Sequence, residues 1–154
     1  MTQTKTRPVC RIAGDTGLLV EFGEGIDPDV NAKVRALAAS VLKNPLDGIV
    51  EIIPTYRSLL FVYDPVNVNP EKLIDYIDTL ESQMGNNSET GCRVVEIPVC
   101  YGGEHGPDME TVQASAGLSA EQVIHLHSTP DYLIYMVGFT PGFPFLGGLN
   151  KQLF

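Results

Sequence analysis

Residues 25–44 read GIDPDVNAKVRALAASVLKN, and residues 69–84 read NPEKLIDYIDTLESQM. Each stretch offers a residue suited to cap a helix, Asp27 or Asn69, followed by Pro28 or Pro70 at the first helical position, where a missing N–H costs nothing. In the first, Val30, Val34, Leu37 and Val41 recur at helical spacing and predict one apolar face. Two short apolar runs stand ahead of each helix. RIAGDTGLLVEFG (11–23) reads as two strands about a GDTG turn, and DGIVEIIP (47–54) with SLLFVYD (58–64) reads as a second pair. A gapless offset of 40 lays Leu19, Val20 and Phe22 on Leu59, Leu60 and Val62, and Val34 and Leu37 on Ile74 and Ile77. A strand-strand-helix unit written twice predicts an α+β domain over 1–84, with one antiparallel sheet and both helices on a single face.

The stretch MGNNSETGC (84–92) is small and polar without apolar periodicity, so a linker over 85–92 is expected. A second domain, 93–154, follows. VVEIPVCY predicts a strand that ends in the turn-rich YGGEHGPD. Asp108 is placed to cap the short helix METVQASAG and Gly117 to end it, while Ser119 and Gln122 form a capping-box pattern ahead of AEQVIHLH. DYLIYMVGF returns as a strand and leads into GFTPGFPFLGG (138–148), where Pro141-Gly142 fits the centre of a type II turn.

Composition excludes several classes of function. With 44% hydrophobic and 19% charged residues the chain can bury a core, and its net charge of −9 argues against nucleic acid or an anionic membrane as partner. No apolar run approaches the ~18 residues of a membrane span, and the N-terminus lacks a signal-peptide pattern, so a cytoplasmic protein is expected. Cys10, Cys92 and Cys100 show no metal or redox spacing and read as thiols in a reducing compartment.

Three histidines invite a metal reading, but His125 and His127 would point to different faces of a helix, and no carboxylate or cysteine set accompanies them with His105; no metal is expected. His127 stands where a helix stops before Pro130, so its ring could act in a cleft as acid, base or hydrogen-bond donor. The alternative is a ring that caps the preceding helix carbonyls. YGGEHGPD lacks the lysine of a phosphate loop, and Glu104 and Asp108 would repel phosphate unless magnesium intervened, so a plain glycine turn is the simpler reading. Phe139, Phe143 and Phe145 either fill a core or line a pocket or an interface with a partner.

IPVCYGGEHGPDMETV and GLSAEQVIHLHSTPDYLIYMVGFTPGFPFLGGL together closely resemble the family that includes the B subunit of 5-oxoprolinase, allophanate hydrolase subunit 1 and the Kip-type inhibitor of a sporulation histidine kinase. The resemblance implies that 93–154 is the N-terminal, truncated part of a cyclophilin-like β-barrel, because family members continue for further strands beyond LNKQLF. It also implies a non-autonomous part of a hydrolase, which acts with the A and C subunits of 5-oxoprolinase to open 5-oxo-L-proline to L-glutamate. ATP with magnesium would be a co-substrate of the assembled complex, and no cofactor would be tightly bound. The family's alternative activity is binding a sensor histidine kinase and blocking its autophosphorylation. Carried onto this chain, the family's stretches mark His127 as the catalytic candidate, and Tyr101, Gly102, Gly103, Glu104, Asp108, Phe139, Pro141, Gly142 and Phe143 as candidates for substrate or partner binding.

Overall fold

A computed structural model describes residues 7–83 and 93–154. Contacts divide the chain into two compact units, Met1–Glu89 with Tyr135–Phe145, and Thr90–Ile134 with Leu146–Phe154. The expected linker at 85–92 lies outside the described residues. The first unit also takes in Tyr135–Phe145, from late in the chain.

In the first unit, β1 (Val9–Ile12), β2 (Gly17–Glu21), β3 (Ile49–Pro54) and β4 (Ser58–Tyr63) form one sheet in the order β1-β2-β4-β3, with every neighbouring pair antiparallel. α1 (Pro28–Lys43) follows β2, and α2 (Pro70–Gln83) follows β4. Both caps form as expected. The Asp27 carboxylate accepts from the N–H groups of Asp29 and Val30 at 2.8 and 3.0 Å, and Asn69 Oδ1 accepts from Lys72 N–H at 2.8 Å.

The sheet alternates strictly where it matters: Leu18 and Val20 of β2 oppose Phe61 and Leu59 of β4, and all four are buried on one face. Against that face lie Val34, Leu37 and Val41 of α1 and Leu73, Ile77 and Leu80 of α2, in a single cluster that puts both helices on the same side. Full burial of a ring such as Phe61 stabilises by about 1.5–3 kcal/mol.

Two details depart from the sequence reading. Buried Leu18 and Val20 correspond to Leu59 and Phe61, an offset of 41, so in the strands the gapless offset of 40 is out of phase, whereas in the helices Leu37 and Ile77, 40 apart, are both fully buried. Strand side chains alternate, and a shift of one residue exchanges the buried and open faces. In α1 the buried stripe is Asn31, Val34, Leu37 and Val41, with Asn31 in the place expected for Val30. Asn31 is fully buried, and its Nδ2 donates toward the carbonyls of Thr55 (3.2 Å), Tyr56 (3.2 Å) and Tyr135 (3.3 Å). One polar side chain thus joins a helix, the turn before β4, and the late stretch 135–145.

β5 (Leu133–Val137) and β6 (Pro144–Gly147) pair as a two-stranded sheet. Within the second unit, α3 (Met109–Ala116) lies against α4 (Ala120–Ser128), and the short turn Lys151–Leu153 rests on both. Ser119 and Gln122 make the full capping box, and Gly117 ends α3 in the left-handed region at φ 65°. Asp108 occupies the N-cap position of α3, yet its side chain accepts no capping hydrogen bond.

The strand expected over 94–101 is absent. A strand is held by ladder bonds to a neighbour, and no described residue pairs with this stretch, while Pro98 removes one donor outright. Val94, Val95, Ile97 and Val99 are exposed. Among the described residues, no helix is long and apolar enough to cross a membrane.

Candidate functional site

The second unit contains a cleft of about 400 Å³ between the 99–109 loop, α3, α4 and the end of the chain. Its polar lining is supplied by Tyr101, His105, Asp108 and His127, and its apolar lining by residues that include Met109, Val112, Val123 and Leu149. The loop carries Tyr101 to the cleft by a tight closure. Gly102 and Gly103 take φ values of 80° and 56°, and a Cβ on Gly106 would meet Gly102 N at 2.6 Å, so the ring from 102 to 106 closes only on bare glycine.

His127 lies in the last turn of α4, half-buried, and the capping box at the start of that helix fixes the phase in which it arrives. Its Nδ1 is 2.6 Å from the Tyr101 hydroxyl, and the two rings meet edge to face with centroids 5.7 Å apart. The Tyr132 hydroxyl donates to the His127 backbone carbonyl at 2.6 Å, with the rings 5.8 Å apart. Burial, and then the neighbouring Tyr101 phenol, push the Tyr132 hydroxyl above the ordinary tyrosine range. It therefore stays a neutral donor. When Tyr101 donates to Nδ1, neutral His127 carries its proton on Nε2, which makes no hydrogen bond within the described residues; in the other tautomer Nδ1 donates to the phenol oxygen.

The candidates named from sequence divide between the two units. Tyr101, Gly102, Asp108 and His127 line the cleft together. Gly103 opens a short 3-10 turn beside it, and Glu104 is on the surface, its carboxylate 3.7 Å from His105 Nε2. Phe139, Pro141, Gly142 and Phe143 belong to the first unit. There Thr140 to Phe143 close a turn with Gly142 at φ 80°, in agreement with the type II reading. Among the described residues, no group of three or more His, Cys, Asp or Glu side chains is arranged to hold a metal.

Sequence reasoning missed Tyr132 and Asn31. The signal for Tyr132 was its position five residues past His127 across Pro130, which folds its ring back on the helix end. For Asn31 it was a polar residue one step from an apolar helical stripe, a placement that calls for buried acceptors.

The chain belongs to the family described as the carboxyltransferase domain, subdomain C and D, which matches residues 8–154. It is 40% identical over 150 residues to the 5-oxoprolinase B subunit of Bacillus subtilis (strain 168), an alignment that covers 91% of this chain and 62% of that protein. It is 35% identical to the 5-oxoprolinase B subunit of Escherichia coli O157:H7, covering 96% of this chain and 66% of that protein. The chain thus spans somewhat under two-thirds of the length of these curated relatives. Among solved structures, TTHA0988 matches with a TM-score of 0.74 and 39% identity, over 89% of this chain and 26% of that one. The K. lactis urea amidolyase shares the fold at a TM-score of 0.63 and 16% identity, over 90% of this chain and 10% of that one.

Proposed function

We propose that this chain is the B subunit of an ATP-dependent 5-oxoprolinase, a cytoplasmic hydrolase that opens 5-oxo-L-proline to L-glutamate together with its A and C subunits. The observation that carries this reading is the 40% identity to a 5-oxoprolinase B subunit across 150 residues, a match that includes the loop and helix end bearing Tyr101 and His127. On the same reading, residues 93–154 contribute to a cyclophilin-like barrel.

Opening a lactam adds water across the ring amide: hydroxyl goes to the carbonyl carbon, and a proton goes to the departing nitrogen. The barrier falls when a positioned donor meets the charge that develops on the carbonyl oxygen. Within the cleft, the Nε2–H of His127 is that donor, and Tyr101 holds the tautomer from the far side of the ring. ATP, with magnesium, is the co-substrate of the assembly. No Lys or Arg lines the cleft among the described residues, so its phosphates are assigned to the companion subunits.

The test is glutamate release from 5-oxoproline by the full-length protein reconstituted with the A and C subunits. Release that depends on ATP and falls by about 10²-fold or more in His127→Ala is the expected result, the scale of a lost oxyanion donor. No release from the intact assembly overturns the reading, and unchanged turnover in His127→Ala removes that residue from the chemistry. The exposed Phe139 and Phe143 favour a second reading, inhibition of a sensor histidine kinase, which an autophosphorylation assay with the purified protein decides.

A further inference from the structure

His127 stands in the last turn of α4, where a helix runs out of N–H groups to pair with its final carbonyls. Thr129 N–H still reaches the carbonyl of His125, at 3.0 Å, but among the described residues no backbone N–H reaches that of His127. Pro130, three residues on, has none to offer. The place is filled instead by a side chain, the Tyr132 hydroxyl, at 2.6 Å.

The same tyrosine also touches the imidazole. Its ring lies 5.8 Å from that of His127 at an interplanar angle of 44°, while the Tyr101 ring meets His127 edge-on at 5.7 Å and 83°. Capping alone does not call for this ring contact, since water serves a helix-end carbonyl as well. Tyr132 therefore holds His127 at two places, its main chain and its ring, and the Tyr101 hydroxyl holds a third, Nδ1. Of the imidazole nitrogens only Nε2 makes no hydrogen bond among the described residues, and it is the atom assigned to the substrate carbonyl. Reacting groups misplaced by about 1 Å lose up to about 10²-fold in rate, so the setting of this ring bears on turnover.

Tyr132 is itself supported. Gly148, the last residue of the 138–148 stretch, adopts φ 114°, where any side chain is strained. A Cβ on it would stand 3.4 Å from the Asp131 carbonyl oxygen and 3.9 Å from Cδ1 of Tyr132, so the chain packs directly beside the tyrosine there.

We propose that Tyr132 is a positioning residue for His127: its hydroxyl fixes the helix-end carbonyl and its ring fixes the imidazole, so that Nε2–H meets the substrate carbonyl in one orientation. This inference deepens the 5-oxoprolinase reading of the cleft and rests on it. The test is Tyr132→Phe in the full-length protein, which removes the hydroxyl and keeps the ring. The imidazole nitrogen resonances of His127, read by NMR, are expected to move while those of His105 stay. In the assembly reconstituted with the A and C subunits, kcat is expected to fall about tenfold with KM within about twofold of wild type. Added to His127→Ala, the same change is expected to lower turnover by less than about twofold, because its effect passes through the missing ring. Unmoved His127 resonances overturn the proposal. So does a loss of turnover equal in both backgrounds, or a variant that does not fold, since either assigns Tyr132 to the fold at large. If His127→Ala leaves no turnover to measure, the resonances and the split between kcat and KM decide. Absence of glutamate release from the wild-type assembly overturns the 5-oxoprolinase reading instead, and the resonances alone then decide whether Tyr132 sets His127.

Discussion

The phenol oxygen of Tyr101 and Nδ1 of His127 lie 2.6 Å apart, although 26 residues separate them in the chain. The glycine-closed loop supplies one partner and the end of α4 the other, so the contact reports on both.

Tyr101→Phe keeps the edge-to-face ring contact and removes only the hydroxyl. The variant is expected to lose about 0.5–1.5 kcal/mol of stability, the usual worth of one such bond. Its clearer signature is a change in the imidazole nitrogen resonances of His127, read by NMR, accompanied by lower turnover in the reconstituted enzyme. Unaltered resonances would show that the bond does not set the tautomer.

Asn31→Ala leaves the Thr55, Tyr56 and Tyr135 carbonyls without their shared donor, at an expected cost of about 1–3 kcal/mol in urea denaturation. Asn31→Asp is expected to be worse, because a carboxylate in this fully buried position would face three carbonyl oxygens. A hydrophobic residue of similar volume that left stability unchanged would show the two N–H donors, shared among the three carbonyls, to be dispensable.

The helix caps make an internal comparison. Asp27→Ala and Ser119→Ala each remove observed capping bonds and are expected to cost about 0.5–2 kcal/mol. Asp108→Ala, at a cap position that makes no such bond, is expected to stay within about 0.5 kcal/mol of wild type. Thermal melts of the three variants side by side check the order.

Alkaline pH is expected to weaken the fold. Burial first, then the negative charges of Asp78 and Glu81, raise the Cys10 thiol above its ordinary 9.0. Burial likewise raises Tyr76 above 10.0, and burial with Tyr101 does so for Tyr132. All three are neutral when protonated. Once pH passes the unfolded values, the unfolded chain has released protons that the folded chain still holds, so stability is full below about pH 9 and declines as pH rises through the raised pKa values. Urea midpoints that fall between about pH 8 and about pH 10.5, with the earliest part of the fall missing in Cys10→Ser, would bear this out; a flat or rising profile would contradict it.

What the sequence disclosed follows from how local the physics is. Asp27-Pro28 and Asn69-Pro70 announce their helices because caps are settled within one turn, and the Ser119–Gln122 box is equally self-contained. The phase of the repeat is not local. Matching like residues at offset 40 cannot tell which side of a strand faces the helices, and only the pairing of Leu18 with Phe61 settles it. VVEIPV has the composition of a strand, but composition supplies no hydrogen-bond partner, and none lies beside it among the described residues. For the site, histidine chemistry and the glycine loop were legible. The meeting of Tyr101 with His127, and the approach of Tyr132 to the same ring, depend on how α3, α4 and the loop close on one another.

The bond from Asn31 to Tyr135 can form only late in synthesis. As the chain leaves the ribosome, the strands and helices up to Gln83 can assemble around their shared core, and the Thr55 and Tyr56 carbonyls are available to the Asn31 amide from the start. The third carbonyl arrives 104 residues after Asn31 itself. The aromatic turn of the first unit therefore leaves the ribosome after every other described segment of that unit.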